Sequence, residues 1–170
     1  MTMEAKDVLD VLRILDEAGV TTTLDGGWGV DALLGAQYRD HDEVDLVIDL
    51  RDVEPAIEVL TEVGYRVVDE PGTELRLHDG DDHVIDLRGV HTDADGNRWL
   101  SDRSPADDPP DIPVEYQTYG WVGGRQVACT SPEYQALRHL GRDLTDNEAG
   151  DVLRLGERFA TPVPSQLRTF

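Results

Sequence analysis

The residues whose types and spacing could do chemistry lie between Gly26 and Asp86. Glu43 and Asp45 stand two apart in the run Glu43-Val44-Asp45-Leu46-Val47-Ile48-Asp49-Leu50. Its apolar alternates Val44, Leu46, Ile48 and Leu50 mark one face of a strand, and Glu43, Asp45, Val47 and Asp49 share the other. Two carboxylates on one open face can hold Mg²⁺, which binds through a few carboxylates together with the phosphates of a nucleotide. The same alternation also suits an acidic edge strand with a solvated outer face. Upstream, Gly26-Gly27 falls between a strand-like approach and a helix-like run from Trp28 to Leu34. A glycine pair there lets backbone N–H groups come close to phosphate, and a helix N-terminus favours its negative charge. A third acid, Asp86, sits mid-strand in His83-Val84-Ile85-Asp86-Leu87-Arg88, opposite in parity to Ile85 and Leu87. A carboxylate so flanked is costly to place unless it is exposed, paired with Arg88 or another local base, or bound to metal.

These residues need a scaffold, and the chain supplies an alternating one. Residues 4–18 predict a helix with Val8, Leu12 and Leu15 inward and Gly19 at its C-terminal cap. Val20–Leu24 reads as the strand entering the glycine pair. Asp52 is placed as N-cap of a helix that holds Ile57, Leu60 and Val63 inward and closes at Gly64. Strands at Tyr65–Val68, Leu75–Leu77 and Val84–Leu87 follow, with turns at Pro71-Gly72 and Asp79–Asp82. Residues 89–112, rich in Asp, Pro and Gly, predict a long loop or short hairpin anchored by Trp99 and Leu100. A hairpin around Gly123-Gly124 leads to a helix capped by Ser131 and Pro132, with Tyr134, Leu137 and Leu140 inward. Thr145 and Glu148 form a capping box for the last helix, whose Val152, Leu155 and Phe159 face inward. The expectation is an α/β (α+β type) fold: one domain over 1–170, a mixed sheet flanked by helices, with the C-terminal helices of 131–160 packed alongside.

Composition bounds the partners. Fifteen basic residues against thirty-six acidic ones give a formal charge of −21, and Lys6 is the only lysine. Such a surface repels nucleic acid and anionic membranes and tolerates cationic small molecules. Nothing resembles a signal peptide or an apolar span, so the expected setting is cytoplasmic. The single cysteine, Cys129, excludes an intramolecular disulfide, and its apolar neighbours suit a buried structural thiol.

The segment Gly26-Gly27-Trp28-Gly29-Val30-Asp31-Ala32-Leu33-Leu34-Gly35, followed by Arg39, His41 and Asp42-Glu43-Val44-Asp45-Leu46, resembles the small lincosamide and aminoglycoside nucleotidyltransferases of the DNA polymerase β-like superfamily. That superfamily pairs Gly-Gly or Gly-Ser with a helix, two acids at i and i+2 of a strand, and a third acid on a later strand. The resemblance covers most of residues 5–160. It is strongest at 24–50 and clear again at 84–88 and at 127–159, where the helices form the acceptor-side wall of the cleft. It departs at Glu43, where the nearest relatives usually carry Asp, and at 89–112, which has no counterpart.

The resemblance implies transfer of AMP or another NMP from ATP or another nucleoside triphosphate to a hydroxyl of a small, cationic antibiotic. Glu43, Asp45 and Asp86 would be catalytic and would hold one or two Mg²⁺ ions. Gly26 and Gly27 would cradle the phosphates, and Arg39 and His41 would neutralise them. Asp86, Glu148 and Asp151 are the candidate general bases. Trp28 is expected to anchor the core, and Asp31 to act as a first-turn helix acid. A regulatory module that has lost catalysis, and an enzyme that nucleotidylates protein, are the alternatives.

Overall fold

The computed structural model describes residues 2–69 and 74–168; the expected turn at Pro71-Gly72 lies outside them. An eight-stranded mixed sheet runs in the order β3-β4-β5-β2-β1-β8-β7, with β6 paired to β5. The strands are β1 (Thr22–Asp25), β2 (Glu43–Asp49), β3 (Arg66–Asp69), β4 (Glu74–His78), β5 (Val84–Thr92), β6 (Arg98–Leu100), β7 (Gln117–Val122) and β8 (Arg125–Thr130). Five α-helices flank it: α1 (Ala5–Glu17), α2 (Gly26–Leu34), α3 (Val53–Glu62), α4 (Pro132–Leu137) and α5 (Asp146–Phe159). No described helix is long and apolar enough to cross a membrane.

The main core joins Val8, Leu12 and Leu15 of α1 to Leu60 of α3 and to Val44, Leu46 and Ile48 of β2, all buried. Helix α1 closes as its sequence predicts. Gly19 takes φ +77°, and the Val20 and Gly19 amides return to the carbonyls of Leu15 and Asp16 at 2.9 Å each. Thr145 and Glu148 form the expected capping box, and Ser131 accepts the Tyr134 amide.

Several expectations are corrected. The second face of β2 is open only at its start. Val47 is covered, because Val90 and Ile112 fold over it as a second apolar cluster. That cover comes from residues 89–112, where the expected short hairpin forms: β5 runs on to Thr92 and pairs with β6, while the Trp99 indole donates to the Asp108 carbonyl at 2.9 Å. Leu50 leaves the strand for a 3₁₀ turn, Leu50–Asp52. Asp52 occupies the N-cap of α3 without a side-chain cap bond, and Val63 is exposed. Helix α4 is rotated from its apolar stripe. Gln135 and Ala136 face inward and Leu137 outward, because the buried Gln135 amide serves a polar network described below; the helix ends at Leu137, and in the turn after it His139 is buried and Leu140 exposed.

Candidate active site

Strands β2 and β5 run parallel in a register that makes Asp45 the partner of Asp86. Both side chains therefore leave the same face, and Glu43 joins them from one pleat earlier. Oxygen atoms of Glu43, Asp45 and Asp86 all lie within 4.8 Å of one another. Crowding has an electrostatic consequence. Burial, then the charges of Asp25, Glu43 and Asp86, push the Asp45 carboxyl up to about 7. Burial, then Asp86, also raise Glu43. Three hard oxygen donors that repel one another suit a divalent cation such as Mg²⁺.

A guanidinium already engages two of them. Arg76 of β4 lies opposite Asp86 in the β4–β5 ladder. Its Nε and Nη2 donate to Asp86 Oδ1 and Oδ2 at 2.8 and 2.7 Å, and Nη2 also donates to Glu43 Oε2 at 3.0 Å. The expected pairing was with Arg88 or another local base; Arg76 is that other base, and Arg88 turns to Glu74 and Asp25. The β4–β5 hairpin pairs residues equidistant from Asp81, so its register holds the signal that would have found Arg76.

The glycine pair is the first turn of α2 itself. The helix starts at Gly26, two residues earlier than the apolar run suggests, with Asp25 as N-cap. Gly26 has φ +59°, and a Cβ there would run into the Asp45 carboxylate. A Cβ on Gly27 would collide with the Arg39 guanidinium and with His41 Nδ1. The glycine turn, the acidic cluster and the basic loop thus converge, and Gly27, Arg39, His41, Glu43 and Asp45 line one cleft of about 350 Å³.

Arg39 and His41 are also structural. Arg39 clasps Asp151 of α5 through Nε and Nη2, with Nη2 2.9 Å from Oδ2. His41 is buried, its Nε2 2.5 Å from Asp31 Oδ2 and its ring 4.9 Å from that of Trp28. Asp31 is therefore the buried partner of His41 in the second turn of α2, not a first-turn dipole acid.

The unforeseen centre is Asp25, which is 1% exposed. It accepts from the Thr130 hydroxyl at 2.8 Å, the Gln135 amide at 3.0 Å and the guanidinium groups of Arg138 and Arg88. Its place directly before the glycine pair was the available signal.

The base candidates differ sharply. Burial would raise Glu148, but the Thr145 amide, Arg142 and the Thr145 hydroxyl together bring it down to about 2, too weak to take a proton from a hydroxyl. Asp151 is committed to Arg39. Asp86 lies in the acidic cluster but shares its carboxylate with Arg76. Burial, then Asp25, push the Cys129 thiol up to about 12, in keeping with a structural role.

A lincosamide resistance protein of Staphylococcus haemolyticus is 28% identical over 151 residues, spanning 88% of this chain and 92% of its own. The crystal structure of the lincosamide antibiotic adenylyltransferase LnuA with lincomycin bound matches at a TM-score of 0.80 and 26% identity, over 91% of this chain and 98% of that one. ANT(2'')-Ia in complex with adenylyl-2''-tobramycin shares the fold, with a TM-score of 0.69 at 21% identity over 90% and 87% of the two chains. The family model of the aminoglycoside-2''-adenylyltransferases matches residues 7–155, and the chain belongs to that family of nucleotidyltransferases.

Proposed function

We propose that this protein transfers AMP from ATP to a hydroxyl of a lincosamide-type antibiotic, using a divalent cation held by Glu43, Asp45 and Asp86. The observation that carries this reading is the meeting of those three carboxylates beside the Gly26-Gly27 turn. A divalent cation there would offset the charge of the reacting phosphates. The protein's own contribution is positional. Gly26 and Gly27 leave room for phosphate against backbone amides at the start of α2, while Arg39 and His41 close the rim. Of the base candidates, Asp86 is the one that faces the reacting region, and it shares its carboxylate with Arg76.

The acceptor follows from charge pairing as well as from the relatives. Carboxylates around the cleft are already matched by arginines: Asp25 by Arg138 and Arg88, Glu74 by Arg88, Asp86 by Arg76 and Asp151 by Arg39. Such a wall offers a polycation fewer free counter-charges than the total of −21 suggests. It favours a lincosamide, with a single amine, over an aminoglycoside. The second reading, an aminoglycoside acceptor, is supported by the family match and the acidic surface.

Incubation with ATP, Mg²⁺ and either lincomycin or tobramycin, followed by mass spectrometry, tests both. An added AMP on lincomycin is expected. Modification of tobramycin alone favours the second reading, and labelling of protein or tRNA with both antibiotics untouched rejects both. Absence of any transfer together with intact ATP binding would mark a regulatory module.

A further inference from the structure

The contacts of Arg76 go beyond an ordinary strand-to-strand ion pair. One nitrogen, Nη2, serves carboxylates of two different strands, Glu43 of β2 and Asp86 of β5, at 3.0 and 2.7 Å. These are two of the three acids whose oxygens cluster within 4.8 Å. An ion ligated by the same oxygens would stand beside the Arg76 guanidinium, and the two positive groups repel one another and compete for the same carboxylate charge. A guanidinium stays charged at every working pH and matches a carboxylate through two parallel bonds. Cation uptake is therefore an exchange of one positive group for another.

We propose that Arg76 is an internal counter-cation, bridging Glu43 and Asp86 until a divalent ion displaces it. The proposal rests on the cation reading of the acidic cluster given above. Three features support exchange over a fixed strut. The Arg76 side chain is 44% exposed, so its head can return to water at small cost, whereas Arg39 and Arg88 are 22% and 18% exposed. Arg76 makes no hydrogen bond to Asp45, so only two of the three acids must give up a guanidinium contact when an ion enters. And the bridge spares Glu43 and Asp86 part of their mutual repulsion, keeping the ligands gathered before an ion arrives.

The two roles predict opposite signs. If Arg76 competes with the ion, its removal tightens ion binding. If it is a strut, its removal lets the carboxylates spread and weakens binding. The test is Mn²⁺ uptake by the nucleotide-free full chain, read by the paramagnetic resonance of free Mn²⁺. It compares wild type with Arg76→Ala, Arg76→Gln and the charge-matched control Arg125→Ala, an exposed position on β8. Losing a charge-assisted bridge should tighten Mn²⁺ about tenfold or more in both Arg76 variants and leave Arg125→Ala within about twofold of wild type. Circular dichroism verifies the fold, and Arg76→Gln decides the matter if the alanine variant fails to fold. Wild-type uptake with unchanged or weaker uptake in the Arg76 variants overturns the Arg76 proposal alone. Tightening of equal size in Arg125→Ala overturns it too, as a general effect of net charge. No uptake by any variant removes the cation reading and this proposal with it.

Discussion

Arg39 and Asp151, 112 residues apart, hold each other through three nitrogen–oxygen contacts of 2.9 to 3.2 Å. The pair fastens the loop before β2 to the last helix, which makes α5 part of the wall of the cleft. Asp151 is 4% exposed, so its removal leaves a partly buried guanidinium without its acceptor. Asp151→Ala should cost about 2–4 kcal/mol in urea unfolding, since breaking one side of a buried pair typically costs about 3–5 kcal/mol and Arg39 retains some access to water. Asp151→Asn, which keeps the shape, should recover part of that loss.

Asp45→Asn should abolish transfer, by at least about a hundredfold, with the fold retained. Its stability should move the other way. A carboxyl raised to about 7 by burial and by Asp25, Glu43 and Asp86 binds a proton in the folded state that it releases when unfolded. Its contribution to stability is therefore full below the ordinary aspartate value and is lost as pH rises through about 7. Metal-free Asp45→Asn should thus equal wild type near pH 4 and exceed it above pH 7, as read by thermal unfolding across that window.

The same group sets the pH dependence of cation uptake. A divalent ion must displace the Asp45 proton, so apparent Mn²⁺ affinity should rise with pH and level off above about 7. Calorimetry in buffers of different ionisation enthalpy should detect proton release at pH 6 and little at pH 8.

Glu148 behaves oppositely. Its carboxyl, held down to about 2, stabilises the protein fully above the ordinary glutamate value, and that stability is lost as pH falls through about 2. Glu148→Ala removes one half of the capping box of α5 and should cost about 1 kcal/mol at pH 7, vanishing in strong acid.

Gly27→Ala places a methyl group against Arg39 and His41. The loop must shift, and steady-state kinetics should show at least about a tenfold loss in kcat/KM for ATP. An alanine variant with wild-type kinetics would remove the glycine turn from the nucleotide site.

What could be read in the sequence was what local periodicity encodes. Alternation along β2 put Glu43 and Asp45 on one face, and the mid-strand position singled out Asp86. Capping residues located the ends of α1, α4 and α5. What escaped was set by tertiary pairing. Gln135 is polar yet buried and α4 ends at Leu137, so a stripe drawn through Leu137 and Leu140 missed the helix's inner face. His41 and Asp31 looked like a loop base and a helix acid because nothing local says that they meet. Asp25 draws its partners from Arg88 to Arg138, a span that no window can see.

The Gln135 amide reaches both Asp25 Oδ1 at 3.0 Å and the Gly26 carbonyl at 3.3 Å. One side chain of α4 thereby grips the end of β1 and the first residue of α2 together. Helix α4 and the glycine turn hang on one shared amide, so truncating Gln135 to alanine would cut the anchor of both at once.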